Sequence, residues 1–298
     1  MNQKDQSKVP EAAIEEASTA LNLIRRECAA HAAPSWHNEV ANRRMENPAP
    51  IPDDREVMRR FCVAIAYSQG ARSAQIGALI QTPIFEEVFA GFDSHALARR
   101  QPKRLVASYW GQLGHLRFRG KISRIIKCAK VLNAIIREHG SFAGYLKRFE
   151  IPRRICSTVE LDAFWRRFDE LQGDFRRRKM PFFRSTTSLL QLLLDLDFDS
   201  VKPDLIVMRL ARRIGIVVRE TGDSTFRRCV RLLQAYSIRE SCRASEIDIA
   251  LLAFGGQTGA SRLLTQRFCP PSDPCHHRTC PLGTNGLCMA HNFVRGKA

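Results

Sequence analysis

Apolar residues recur every three or four positions along most of this chain, and strict polar–apolar alternation is nearly absent. From Asp54 the pattern runs through VMRRFCVAIAYSQ, SAQIGALIQTPIFEEVFAGF, RLVASYWGQL, KISRIIKCAKVLNAIIREHG and LDAFWRRFDELQ. It continues through SLLQLLLDLDF, LIVMRLARRIGIVV, STFRRCVRLLQAYSI and SEIDIALLAFGGQ. Spacing of this kind puts apolar side chains on one face of a helix, whereas a half-buried strand needs alternation. The expected fold class is all-α. An earlier helix is expected from Glu11 to about Ala30, and Gly140 is the expected C-cap of the helix before it. Ala33–Asp54, with Pro34, Pro48, Pro50 and Pro52, reads as a connection. SLLQLLL is apolar on too many sides for a surface helix and is expected in the middle of a bundle.

After the last helical pattern the composition changes. Four cysteines fall in one segment, Cys269-x5-Cys275-x4-Cys280-x7-Cys288, within the turn-rich run FCPPSDPCHHRTCPLGTNGLC. Such turns aim thiolates at one centre, and four thiolates suit either an iron–sulfur cluster or tetrahedral zinc. Only Cys275-x4-Cys280 has the close spacing of a zinc knuckle, so a [4Fe–4S] cluster ranks first and zinc second. His276 and His277 offer a replacement ligand in the zinc version. Four reduced structural cysteines rank third, because the loop has almost no apolar periodicity in which to bury them. Cys28, Cys62, Cys128, Cys156, Cys229 and Cys242 stand singly and read as reduced core thiols, in keeping with a reducing compartment.

The 298 residues are 44% apolar and suffice for a sizeable core, while a formal charge of +17 calls for a polyanionic partner. Nucleic acid is the simplest such partner, and a monomer is expected. The start of the chain lacks a basic region followed by an apolar core, and no run reaches membrane-spanning length. The expected location is the cytoplasm, on the nucleoid. Basic clusters at Arg209, Arg212 and Arg213 and at Arg227, Arg228 and Arg231 read either as solvated faces or, with Arg119 and Lys121, as a phosphate-tracking surface.

The order of a basic turn, an apolar helix, an Asp, an Arg-rich helix and a cysteine loop resembles the helix-hairpin-helix base-excision DNA glycosylases of the endonuclease III-like superfamily. The densest match is MPFFRSTTSLLQLLLDLDFDSVKPDLIVMRLARRIGI. In the family a hairpin L-P-G-x-G-x-K-T-A leads into a buried helix, and V-D-x-H-x-x-R follows. The same register sets Asp204 on the catalytic position and Arg209 on the arginine five residues later. VAIAYSQGARSAQIGAL resembles the first barrel helix and puts Gln69 at the plug that fills the gap left by a flipped base. LGHLRFRGKISRIIKCAKVL resembles the turn-helix that follows, with the flavour of the 3-methyladenine glycosylases in HLRFRGKI. EIDIALLAFGG and CPL at Cys280 resemble the entry to the cluster loop.

The resemblance implies a six-helix barrel over about residues 54–203. The N-terminal residues 1–53 then pack with a C-terminal domain, 204–298, and the active site lies in the cleft between the domains. It implies a glycosylase that flips out a damaged or modified base and hydrolyses its N-glycosidic bond in base-excision repair. The departures are specific: Phe182 and Arg184 replace both hairpin glycines, Thr186 stands where bifunctional members carry the lyase lysine, Ile206 replaces the family's His, and the cysteine spacing differs. Without the lysine a monofunctional enzyme lacking lyase activity is expected. Arg178, Lys179 and Arg184 are the candidate phosphate contacts in place of bare glycine backbone, with Arg119, Lys121, Thr186 and Arg209 beside them. Read from its residue type alone, Asp204 is a helix cap; read with the family register, it is the catalyst. The alternative is a non-catalytic DNA-binding or damage-sensing relative with a structural metal site.

Overall fold

The computed structural model describes residues 9–44, 47–256, 263–269 and 279–290. Among these every regular element is helical, as the apolar spacing requires, and the one extended contact is an isolated bridge between Ala32 and Leu264. The chain divides into two compact units, each assembled from separate stretches of sequence. The first comprises Met1–Pro48, Pro152–Phe164 and Asp197–Ala298, the second Ala49–Ile151 and Trp165–Leu196.

The second unit begins with α3 (Asp54–Tyr67), whose cap, Asp53, accepts the Glu56 N–H; the first unit holds the two helices before it, α1 (Glu11–Ala30) and α2 (Pro34–Arg44). Val57, Met58, Phe61, Cys62 and Ile65 on α3 face inward at helical spacing. The apolar run after α3 reads as one helix in sequence but folds as α4 (Ser73–Ile80), α5 (Pro83–Val88) and a single 3-10 turn at Ala90–Phe92. Pro83 has no N–H to continue α4, so it starts a new helix instead. Next come α6 (Ser94–Ala98), α7 (Pro102–Leu113), α8 (Gly120–His139) and α9 (Phe142–Lys147). α8 packs on α3, α6, α7 and α9, and it ends where expected, at Gly140 with φ 77°.

α10 (Thr158–Arg177) contributes its first turns to the first unit and the remainder to the second. α11 (Thr186–Asp195), capped by Ser185, buries Leu189, Leu190, Leu192 and Leu193 and packs on α3, in line with its apolar character. Phe61 is the hub of this core: its ring lies 4.5 Å from Phe183 and 5.7 Å from Phe142. Full burial of each such ring contributes about 2–3 kcal/mol.

In the first unit α12 (Leu205–Arg213), α13 (Asp223–Arg239) and α14 (Ala244–Gly255) follow, with the short α15 (Pro281–Thr284) after them. α14 is buried along nearly its whole length and packs on α1, α2, α12 and α13. α2 corrects the reading of Ala33–Asp54 as a plain connection. Pro34 is its first helical residue, a position where proline costs nothing, and Trp36 and Val40 are its buried contacts. α12 is shorter than its apolar run because Gly215, at φ 83°, closes it; the Ile216 N–H then returns to the Ala211 carbonyl.

Cys28, Cys62, Cys128 and Cys229 are buried free thiols, Cys242 is half-buried, and Cys156 is exposed, against the expectation of a core position. Among the described residues no helix is long and apolar enough to cross a membrane.

Candidate active site and nucleic-acid surface

In the first unit, the turn Val201–Asp204 leads into α12, and Asp204 caps that helix. Its Oδ1 accepts the N–H groups of Ile206 at 2.9 Å and Val207 at 3.1 Å, while Oδ2 faces Lys202 Nζ at 3.7 Å. One oxygen thus serves the helix start, where the backbone dipole favours an anion. The other stands beside a cation.

Behind this turn lies Asp248 of α14, a residue that the sequence reading did not single out although it is the one acid in the apolar stretch IDIALLAF. It is fully buried, and its Oδ1 accepts the Lys202 N–H at 2.8 Å. Burial pushes its carboxyl up to about 6; Arg43 and the Lys202 N–H oppose the rise, and the charge on Asp204 adds to it. Arg209, expected on DNA, donates through Nη2 to the Gly255 carbonyl at 2.6 Å and so ties α12 to the end of α14. The two helices approach so closely there that a Cβ on Gly255 would lie 2.9 Å from Ile206 Cγ2.

In the second unit Gln69 is exposed at φ 56°, and Gly70 follows at φ 66°. Two cations fasten this turn. Lys121, fully buried, donates to the carbonyls of Ala66 at 2.8 Å and Ser68 at 2.7 Å, and Arg117 donates to the Gly70 carbonyl. Burial holds the Lys121 ammonium down to about 8, with Arg117 and Arg124 adding to the effect. Lys121 is therefore spent on the end of α3 rather than presented to a phosphate. Arg119 is exposed, its guanidinium 5.5 Å from the Trp110 ring centre, and Phe118 is exposed beside it.

The hairpin between α10 and α11 keeps a glycine-like backbone without glycine. Phe182 adopts φ 66°, a left-handed conformation that costs a residue with a Cβ about 1–2 kcal/mol. The Phe182 carbonyl is held by the Ser188 hydroxyl, and its neighbour Phe183 is buried on Phe61. Lys179, at φ 54°, and Arg184 are exposed. Arg178 is bound within the unit: Nε donates to Asp174 at 2.6 Å, and both terminal nitrogens donate to Glu138 at 3.0 and 2.6 Å. Thr186 is buried, its hydroxyl accepting from Gln172 Nε2 at 3.1 Å. Neither Arg178 nor Thr186 is laid out on the surface as a phosphate contact would be.

Of the four loop cysteines, Cys269, Cys280 and Cys288 are buried; Cys275, with His276 and His277, lies outside the described residues. Arg213, itself buried, donates to Cys269 Sγ at 2.9 Å. A buried cation against sulfur is the surrounding a thiolate ligand needs, so this donor chemistry fits a thiolate-bound metal centre. Among the described residues, no three Cys, His, Asp or Glu side chains converge as a ligand set.

Residues 46–188 match the family model of the methyladenine glycosylases. That is just under half of the chain, and it takes in Gln69, the Arg117–Lys121 segment and the hairpin to Ser188. The match supports a DNA glycosylase and does not single out the endonuclease III-like branch. Asp204, Asp248 and the cysteine loop lie beyond the stretch similar to the methyladenine glycosylases. No curated protein and no solved structure matches the chain.

Proposed function

We propose that this chain is a monofunctional DNA glycosylase, which extrudes a damaged or modified base from double-stranded DNA and hydrolyses its N-glycosidic bond at the start of base-excision repair. The match to the methyladenine glycosylases over residues 46–188 is the observation that carries this reading. Breaking an N-glycosidic bond builds positive charge on the sugar, so a carboxylate must stand close to C1′ with little competing water. Asp204 suits this role, with one oxygen fixed by α12 and the other facing the Lys202 ammonium. Extruding a base costs a few kcal/mol, and Gln69, exposed on a turn anchored from beneath, suits the vacated stack.

Thr186 has no amine with which to form a Schiff base, so the product should be an intact abasic strand that breaks only on alkali treatment. The test is base release from duplexes carrying alkylated, oxidised, mismatched or enzymatically modified bases, scored with and without alkali. Alkylated purines come first, given the family that the chain resembles. Trapping with borohydride tests the lyase exclusion: a covalent adduct that is lost in Lys202→Ala would make Lys202 a relocated lyase amine. The second reading, a non-catalytic DNA-binding relative, draws on Phe182 and Arg184 in the hairpin. It predicts duplex binding with no release from any member of the panel.

We assign Cys269, Cys275, Cys280 and Cys288 as ligands of a structural [4Fe–4S] cluster, with zinc as the second choice. The buried thiols and the guanidinium on Cys269 support a thiolate-bound centre. Brown protein with broad visible absorption fits the cluster; colourless protein with one zinc per chain overturns it.

A further inference from the structure

We infer that Asp248 is a positioning residue for base release, holding the Lys202–Asp204 turn by its backbone and adding a second negative charge behind Asp204. The inference rests on the proposed role of Asp204.

The geometry binds Lys202 at both ends. Its N–H goes to Asp248 Oδ1 at 2.8 Å, its carbonyl takes the Asp204 N–H at 2.8 Å, and its ammonium faces Asp204 Oδ2 at 3.7 Å. Val201 and Pro203 on either side are buried, so the turn has little room to drift. A hydrogen bond to the backbone would need only a neutral acceptor. Asp248 is not neutral by type, and its second oxygen, Oδ2, is buried with no hydrogen-bond partner among the described residues. A buried carboxylate with one oxygen unserved is costly, and an uncharged residue of the same size would be more stable there. A charge kept at a stability cost, next to the one candidate catalytic acid, is what an active site looks like.

Charged groups on two neighbouring elements act on Asp248. Arg43 comes from α2, and Lys202 and Asp204 come from the turn before α12. Because burial and Asp204 push its carboxyl up to about 6, Asp248 is ionised at neutral pH but becomes neutral under mild acid. In its ionised form it adds negative potential, at low dielectric, to the place where positive charge would develop on the sugar. It exchanges no bond with substrate.

The experiment is single-turnover base release by wild type, Asp204→Asn and Asp248→Asn from about pH 5 to about pH 9, with duplex affinity measured alongside. Asp204→Asn should be inactive. Asp248→Asn should bind DNA normally but release base roughly tenfold or more slowly at pH 8. It should also lose the acid limb that wild type shows near pH 6, behaving at pH 8 as wild type does at pH 5. A wild-type rate and profile in Asp248→Asn, with Asp204→Asn inactive, sinks the inference and leaves the glycosylase reading standing. An active Asp204→Asn, or no release by wild type from any duplex, sinks the reading itself.

Should Asp248→Asn not fold, the two remaining proteins decide the matter through aspartate 13C resonances. A carboxyl titrating near pH 6 in wild type that moves to lower pH in Asp204→Asn supports the coupling. Its absence, or an unmoved midpoint, overturns it.

Discussion

At Asp204 the two oxygens have different duties, so substitution can separate them. Asn caps a helix about as well as Asp, so Asp204→Asn should keep its melting temperature and its DNA affinity while losing base release. Asp204→Ala should lose activity and also about 1 kcal/mol of stability as α12 loses its cap. Thermal melts beside a release assay read both effects. Asp248 makes the opposite prediction for stability. Its carboxyl is raised from the ordinary 3.8 to about 6 in the folded protein, so the native state holds its proton more tightly. The resulting stabilisation is full below about pH 4 and is lost as pH rises through about 6. Asp248→Asn escapes that loss. It should melt higher than wild type at pH 8, by on the order of 2 kcal/mol, and show little gain at pH 4.

At the scale of elements, Gly255 of α14 lies tightly against Ile206 of α12. A β-branched side chain has no flexible end to swing aside, so Gly255→Ala must push the first turn of α12, and Asp204 with it. The expected cost is about 1–3 kcal/mol of overpacking, with slower base release at unchanged DNA affinity. A melt and a single-turnover rate check it. Much at this scale was legible in the sequence. α1 follows from its spacing, the end of α8 from Gly140, the start of α12 from Asp204, and the burial of α11 from its leucines. α2 was hidden, because Pro34 reads as a breaker until Trp36 and Val40 find a buried face. The direction in which a cation points was hidden as well. Lys121 and Arg178 look like surface charge in sequence, but the carbonyls at the end of α3 and the Asp174–Glu138 pair draw them inward. Tertiary partners decide such matters, and local spacing does not record them.

For the molecule as a whole, a charge of +17 predicts that the proposed DNA binding weakens steeply with salt, since each phosphate neutralised releases counterions. Exposed Arg119, Lys179 and Arg184 are the residues to contribute, each lowering the log–log slope by about one unit when changed to Ala. Arg178→Ala should leave the slope unchanged and cost stability instead, because its three nitrogens serve Asp174 and Glu138. Titrations at several salt concentrations distinguish the two outcomes.

The way the units are threaded also fixes an order in time. The second unit has all its segments once synthesis passes Leu196, whereas the first waits for the last third of the chain. α1 is made before the helices it packs on, α13, α14 and α15, and Asn22 meets the Tyr236 hydroxyl across 214 positions of sequence. The inward face of α1, with Ile14, Leu21 and Ile24, therefore stays bare on the nascent chain long after the second unit can collapse. Chaperone capture of the bare α1, and aggregation of chains cut short before α14, are the natural liabilities of this threading.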